Sequence, residues 1–589
     1  MGTDHAAIFG GKNNIVSDDV SFIGGGESNL ITVNNSAIGG GNTNEVCAPY
    51  SFIGSGQLNK ITGTSESAIV GGQCNTATGS CSFIGGGWRN YSDSGAITGG
   101  LLNCTIYGFI GGGQLNYSEN ESSVVGGFRN CACGTRNIVG GGTQNATNLT
   151  TSYSFIGGGC NNLIDDAEIS AIAGGTYNCI ESNSDLSFIG AGEQNCIQTN
   201  GQRNVIVNGL QNSIGNNAAG GTTGGNFIGN GFHQCIDVAA AADAVTNFIG
   251  SGRFNMVCAG SEDSAIVAGA QNVISGRCAV ISGGTQNTAL SSGSFIGGGC
   301  VNTATANYSF IGGGYNNSAN STAVFPAQYG VLGGGSHNCL CGGADNASIF
   351  SGENNMVSGF HSMIGNGFVN MIGSAIAGNP TADKSFIGGG QSNRIDSSSA
   401  PIKFATIGGG ESNVIASGTD HSAIFGGGNN TVTGNSSMIG AGDNNNIGTS
   451  APGNPFADFS FIGGGQSNRI DSIGAATTHS FIGGGMGNTV FPGANHAVIA
   501  GGQNNQVRGA CSAILGGNNN NDGGNPYVGM FGNGLTAAAP NTFYVECLNA
   551  INSPLGPAFL PPGTLYYLLA TPGMVAAGFP LGSCIAMLA

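Results

Sequence analysis

Ser21-Phe22-Ile23-Gly24-Gly25-Gly26-Glu27-Ser28-Asn29-Leu30-Ile31 is followed at once by a near copy, Ser36-Ala37-Ile38-Gly39-Gly40-Gly41-Asn42-Thr43-Asn44-Glu45-Val46. The pattern recurs in mid-chain at Phe155-Ile156 with Asn162. It recurs late at Phe386-Ile387-Gly388 with Asn393 and Ile395, and at Phe461-Ile462-Gly463-Gly464-Gly465 with Asn468 and Ile470. With the central Ile as position zero, Asn returns at position +6 in nearly every copy. About 31 copies run from Ile8 to Ile514 at a commonest spacing of about fifteen residues. One copy, at Ile228, carries Gln234 in place of the Asn.

Each unit holds two short segments with strand character, S-F-I or S-A-I and then N-x-I or N-x-V, about three residues each. Alone they are too short to fold. Stacked on identical neighbours, each becomes one rung of a long parallel sheet. The expected fold is therefore all-β, a parallel β-solenoid with inward Ile23, Ile31, Ile38, Ile156, Ile387 and Ile462 as repeating core. The Gly runs, Gly24, Gly25, Gly26 and Gly463, Gly464, Gly465, are expected to make the tight turn by taking positive φ and letting backbones approach.

Asn is a poor strand former, so Asn29, Asn44, Asn162, Asn393 and Asn468 need another reason. One reading is a ladder of stacked amides that tie down the turn backbone. The other is that Asn only suits a tight turn position. Position −1, often Phe, alternates outward from the inward Ile. A repeated outward apolar stripe calls for partner chains to cover it.

Composition agrees. The 589 residues include 112 Gly, only 7% charged residues and 40% hydrophobic ones. That is too apolar for a disordered linker, and the scarce Pro lacks the collagen period. A net charge of −17 with 13 scattered Lys and Arg argues against nucleic-acid binding, which needs basic stripes.

The S-x-A/F-I-G-G-G-x-x-N core over residues 7–535 resembles the head repeats of trimeric autotransporter adhesins, in the variant found in phage and virus tail-fibre proteins. The resemblance implies a left-handed parallel β-roll in which three chains pack side by side. With the rung spacing of a sheet it implies a rod on the order of 150 Å long. The adhesin pattern also includes a signal peptide, a heptad stalk and membrane-barrel strands, none of which is read in this sequence. The expectation is a homotrimeric virion or tail fibre, on the virion surface or tail after assembly in the host cell. It would contact other virion proteins at one end and a host-surface receptor or glycan. A bacterial surface adhesin and a polysaccharide-degrading tail spike are the alternatives. An ice-binding solenoid would need a sustained Thr ladder, and Thr62/Thr64 and Thr76/Thr78 do not extend into one.

Residues 1–535 read as the repeat shaft and 536–589 as a cap or attachment segment, in which no charged residue follows Glu546. Insertions such as 237–246 and 449–458 fall between units and are the expected seat of specificity.

No catalytic, cofactor-binding or metal-ligating set is expected. Gly10-Gly11-Lys12-Asn13 lacks the P-loop hydroxyl residue and Gly spacing. His5, His361, His421, His479 and His496 lie three residues before a central Ile and His233 and His337 five after one, so they read as turn residues in well-separated coils. Asp18-Asp19 and Asp165-Asp166 read as solvated turns. The sequons at Asn116 and Asn145 use the +6 Asn and are accidental if that Asn is buried. The 18 Cys include no C-x-x-C pair. Free thiols and disulfides between neighbouring coils both fit.

Overall fold

The computed structural model describes residues 4–215, 223–237, 246–320, 328–342, 344–374, 382–448 and 457–546, with two further strands at Leu565–Leu569 and Cys584–Leu588. The chain is an all-β parallel solenoid of about 31 turns of roughly 16 residues. No helix occurs among the described residues. It divides into two compact units, residues 1–301 and 302–589, each wound in the same way.

In the first unit one parallel ladder joins the F-I segments in register, Ala7 to Phe22 to Ala37 to Phe52. A second joins the segments after the Asn, Leu30 to Glu45 to Lys60. The second unit repeats both, with Phe386 to Thr406 to Ala423 and Arg394 to Val414 to Thr431. The strands are mostly two residues long, not three. A third line of single-residue bridges, unforeseen from the sequence, runs through position +4, as in Lys12 to Glu27 to Asn42 to Gln57. Residues 237–246 and 449–458 fall almost wholly outside the described residues. So does most of 536–589, although Phe543–Val545 still pairs in parallel on the first ladder.

Short strands follow from the corners. In these two runs only the last Gly turns left-handed: Gly26 has φ 97° and Gly465 has φ 91°, while Gly24, Gly25, Gly463 and Gly464 do not. A Cβ on Gly24 or Gly463 would strike the carbonyl of the next coil, whereas around Gly25 there is open space. The expectation that the whole run supplies positive φ is thus corrected. Position +3 needs both positive φ and closeness and is Gly in every copy, whereas +1 elsewhere carries residues such as Val70, Val125 and Phe350, and +2 residues such as Ser55 and Ala191. Two further corners put ordinary side chains in the left-handed region. Val20 and Tyr50 do so at −3, and Ser28 and Leu58 at +5. Each costs about 1–2 kcal/mol in isolation, and ladder bonds such as Ser28 N–H to the Lys12 carbonyl at 2.8 Å hold them.

The core is one row of Ile from each ladder. Ile23, Ile31, Ile38, Ile156, Ile387 and Ile462 are all fully buried. Beside them run two polar ladders. The +6 Asn side chains are buried, including Asn29, Asn44, Asn162, Asn393 and Asn468. Asn29 Nδ2 donates to the carbonyl of Gly25 in its own turn at 3.1 Å and to that of Gly41 in the next at 3.0 Å. Its Oδ1 accepts the Asn44 N–H at 2.9 Å. Asn393 and Asn468 bond in the same way in the second unit. The left-handed residue is +5, not the Asn, so the amides are there for the ladder rather than for turn dihedrals. The Ser of S-F-I forms the other ladder. Ser21 Oγ donates to the Val33 carbonyl at 2.8 Å and accepts the Ser36 N–H at 3.1 Å.

The single Gln in the amide ladder tests this description. Gln234 passes the relay on, its N–H reaching Asn212 Oδ1 at 3.0 Å and its Oε1 taking the Asn255 N–H at 3.2 Å. The extra methylene misplaces the donor, and its buried Nε2 has no partner. Gln234→Asn is expected to raise stability by about 1–2 kcal/mol by satisfying that group. Denaturant unfolding of the two chains checks it, and equal or lower stability for the Asn variant contradicts the ladder.

Candidate functional site

The most distinctive outward surface is position −1 of the first ladder. A strand points successive side chains to opposite faces, so burying the Ile turns its neighbour out. Phe22, Phe52, Phe83, Phe109, Phe155 and Phe188 remain 37–44% exposed beside fully buried Ile. Through much of the first unit the register alternates large and small. Phe22, Ala37, Phe52, Ala68, Phe83, Ala96 and Phe109 are successive rungs. The Phe rings lie over the Gly at +1 of their own rung, as Phe52 does over Gly54 and Phe155 over Gly157, whereas the rungs of Ala68 and Ala96 carry Val70 and Thr98 at +1. In the second unit the same line is mixed, with Met363, Phe386, Thr406, Ala423 and Met438 in order.

An exposed Phe offers roughly 80 Å² of further apolar area, worth about 2 kcal/mol if covered. Six such rings reach about 12 kcal/mol, within the range of the roughly 4–15 kcal/mol that association costs. The stripe is thus comparable in scale with the cost of association, and its rung spacing is that of any other copy of the chain.

Charged and polar groups elsewhere on the surface tie neighbouring coils together. Lys60 pairs with Glu45 at 3.0 Å and Arg136 with Glu121 at 2.7 Å, in each case on the next coil. Asp19 Oδ1 caps the Asp4 N–H at 2.7 Å, so that acidic pair serves a corner. Asn116 and Asn145 are buried with their amide nitrogens bonded to carbonyls. Their sequons do not present a glycosylation site in the folded chain.

The seven His all occupy left-handed corners. One expectation about them is corrected: they are not all in well-separated coils. His479 and His496 lie on consecutive coils and their rings stack at 5.0 Å, with Phe459 next in the stack at 4.9 Å from His479. The sixteen-residue wind makes neighbours of residues that look distant in sequence.

No family model matches this chain, and no curated protein matches it in sequence. Any functional reading rests on its own geometry and on the repeat.

Among the described cysteines, Cys131–Cys133 and Cys339–Cys341 form disulfides within single turns, rather than between coils. The remaining described thiols are free. Burial pushes Cys47, Cys104 and Cys258 above the ordinary thiol range and Cys235 up to about 11. These thiols are protonated at neutral pH and make poor nucleophiles. One group of three ligand-type side chains gathers among the described residues, at Cys179, Glu181 and Cys196. Sequence reasoning missed it because the ligands are separated by two and fifteen residues, a spacing of no known metal motif.

Proposed function

We propose that the chain is the subunit of a homotrimeric structural fibre on a virus or phage particle, serving attachment to a host surface. The observation that carries this reading is the outward Phe and Ala alternation on a repetitive solenoid. A partner for such a stripe must match its rung spacing, and a second copy of the same chain does so without further design. Three copies would bury their stripes against one another. The repeat's resemblance to tail-fibre and adhesin head repeats supports the number three and the place on a virion. The coils then serve as scaffold. One end meets other virion proteins, and a host-surface receptor or glycan is the ligand. Trimerisation would let weak contacts add, with avidity gains on the order of 10²–10⁴.

Light scattering on the purified chain is expected to give three times its 58.2 kDa mass. Phe52→Glu, Phe83→Glu and Phe109→Glu together place like charges on the stripe. That variant is expected to fall to single chains with unchanged circular dichroism, and to lose the avidity of the wild type on an array of host-surface glycans. A wild-type mass of one chain, or a triple variant that stays associated, overturns the proposal.

A further inference from the structure

The solenoid sets Cys179 and Cys196 directly opposite one another on consecutive rungs of the second ladder. Glu181 lies two residues after Cys179, hence on the same face of the strand. Sulfur and carboxylate ligand atoms of the three all lie within 4.8 Å of one another. Cys196 Sγ stands 3.5 Å from Glu181 Oε1.

The Cys196–Glu181 edge has the length of a sulfur–oxygen edge in a tetrahedral thiolate site, and the other two edges are short enough to close around one ion. With metal–sulfur bonds of about 2.3 Å and metal–oxygen bonds of about 2.0 Å, a tetrahedral angle gives a sulfur–oxygen edge of about 3.5 Å and a sulfur–sulfur edge of about 3.8 Å. The carboxylate is also held from behind. Glu181 Oε2 accepts the backbone N–H and the hydroxyl of Thr199, each at 3.2 Å, which leaves Oε1 turned towards the sulfurs. Such outer bonds orient a ligand and fix which oxygen it offers. All three residues are half-buried, sheltered enough to limit competition from water and open enough for entry. With no ion bound, the Cys196 thiol donates to Glu181 Oε1, and the Cys179 thiol beside it, its own burial and the Glu181 carboxylate keep it protonated.

We propose that Cys179, Glu181 and Cys196 bind a soft divalent cation of the zinc class, which staples two consecutive coils. Two sulfurs and one oxygen select a zinc-like ion over calcium or magnesium, which take oxygen ligands. Three protein ligands leave a fourth position for water. The staple stands whether or not the chain trimerises.

The test uses the full chain, reduced, stripped with a chelator and loaded with Co²⁺ or Zn²⁺ alone. The wild type is expected to bind one more equivalent per chain than Cys179→Ser/Cys196→Ser, with a thiolate-to-cobalt charge-transfer absorption that the double variant lacks. Glu181→Gln is expected to weaken binding at least tenfold. Thr199→Val, which removes the hydroxyl bond to Oε2 and keeps the backbone one, is expected to weaken binding by about tenfold. Binding should tighten as pH rises, because both thiols must shed protons first. Equal stoichiometry and absorption in wild type and double variant would overturn the site. So would pH-independent binding, or recovery of Cys179 and Cys196 joined as a disulfide from freshly isolated, unreduced protein.

Discussion

Gly159→Ala is expected to lower the stability of its part of the solenoid by more than about 3 kcal/mol, while Gly158→Ala, one residue earlier, changes it by less than about 0.5 kcal/mol. The two substitutions add the same methyl group to the same turn, so composition and helix or strand propensity cancel in the comparison. Gly159 has φ 93°. A Cβ there would stand inside the van der Waals envelope of the Gly175 carbonyl oxygen, 2.7 Å from Asn162 Nδ2 and 2.9 Å from the Gly175 nitrogen. That carbonyl is not free to move. It accepts the Cys160 N–H at 2.9 Å and the Asn162 amide at 2.9 Å. The substitution therefore combines a disfavoured dihedral with the loss of two ladder bonds, and the coil above must lift. Around Gly158 no heavy atom comes within 4 Å of the added carbon. Calorimetry or thermal melting by circular dichroism distinguishes the pair. Equal effects would mean that the third Gly of the run is not the close contact between coils.

The amide ladder gives the second large effect. Asn162 donates from Nδ2 to Asn145 Oδ1 at 3.1 Å and to the carbonyls of Gly158 and Gly175, both at 2.9 Å, and its Oδ1 accepts the Asn178 N–H at 3.0 Å. Asn162→Asp keeps the shape and the acceptor but removes the donor and sets a buried carboxylate against two carbonyl oxygens. Leaving those groups unsatisfied costs about 1–3 kcal/mol each, and more for a charge, so a loss of roughly 3–5 kcal/mol at pH 7 is expected. The pH dependence has a defined sign. Burial and the facing carbonyls raise the folded-state pKa of the new carboxyl above its unfolded value of about 3.9. The deficit relative to wild type is then smallest below that unfolded pKa, where a protonated carboxyl restores one donor. It grows as pH rises through the folded pKa and levels off above it. Asn162→Ala should be destabilised by a similar amount with no such titration. A deficit for Asn162→Asp that shrinks as pH rises would contradict the placement of the amide.

Much of this fold is legible in the sequence, because every coil must solve the same problem. An inward Ile, an outward neighbour, a turn and a buried Asn recur, and repetition separates the required from the incidental. The repeat could not say which Gly mattered, since Gly24, Gly25 and Gly26 look alike in one copy. Later copies carry the answer, with Ser55, Ala191 and Asn208 at +2 against Gly56, Gly192 and Gly209 at +3. The left-handed corners at −3 and +5 were not legible at all. Residues as unlike as Val20, His361 and Phe254 occupy them, and although His, Tyr and Asn recur there, no one residue type marks them. They are imposed by the ladders on either side.

The lateral chemistry was hidden for a different reason. Cys179 and Cys196, or His479 and His496, are each seventeen residues apart in sequence and one rung apart in space. A motif search along the chain compares near neighbours and misses them. Laying the copies beneath one another and reading down each column would have found both pairs. It would also have shown the alternation of Phe and Ala at −1, which a single consensus of S-F-I or S-A-I conceals.

The most direct test of the account is a cryo-electron microscopy reconstruction of the purified chain in solution. The account requires three chains related by a threefold axis, with Phe22, Phe52, Phe83 and Phe109 turned to the axis and the rings of each chain beside the Ala rungs of its neighbours. Single chains, or an assembly in which that stripe faces water, would contradict it.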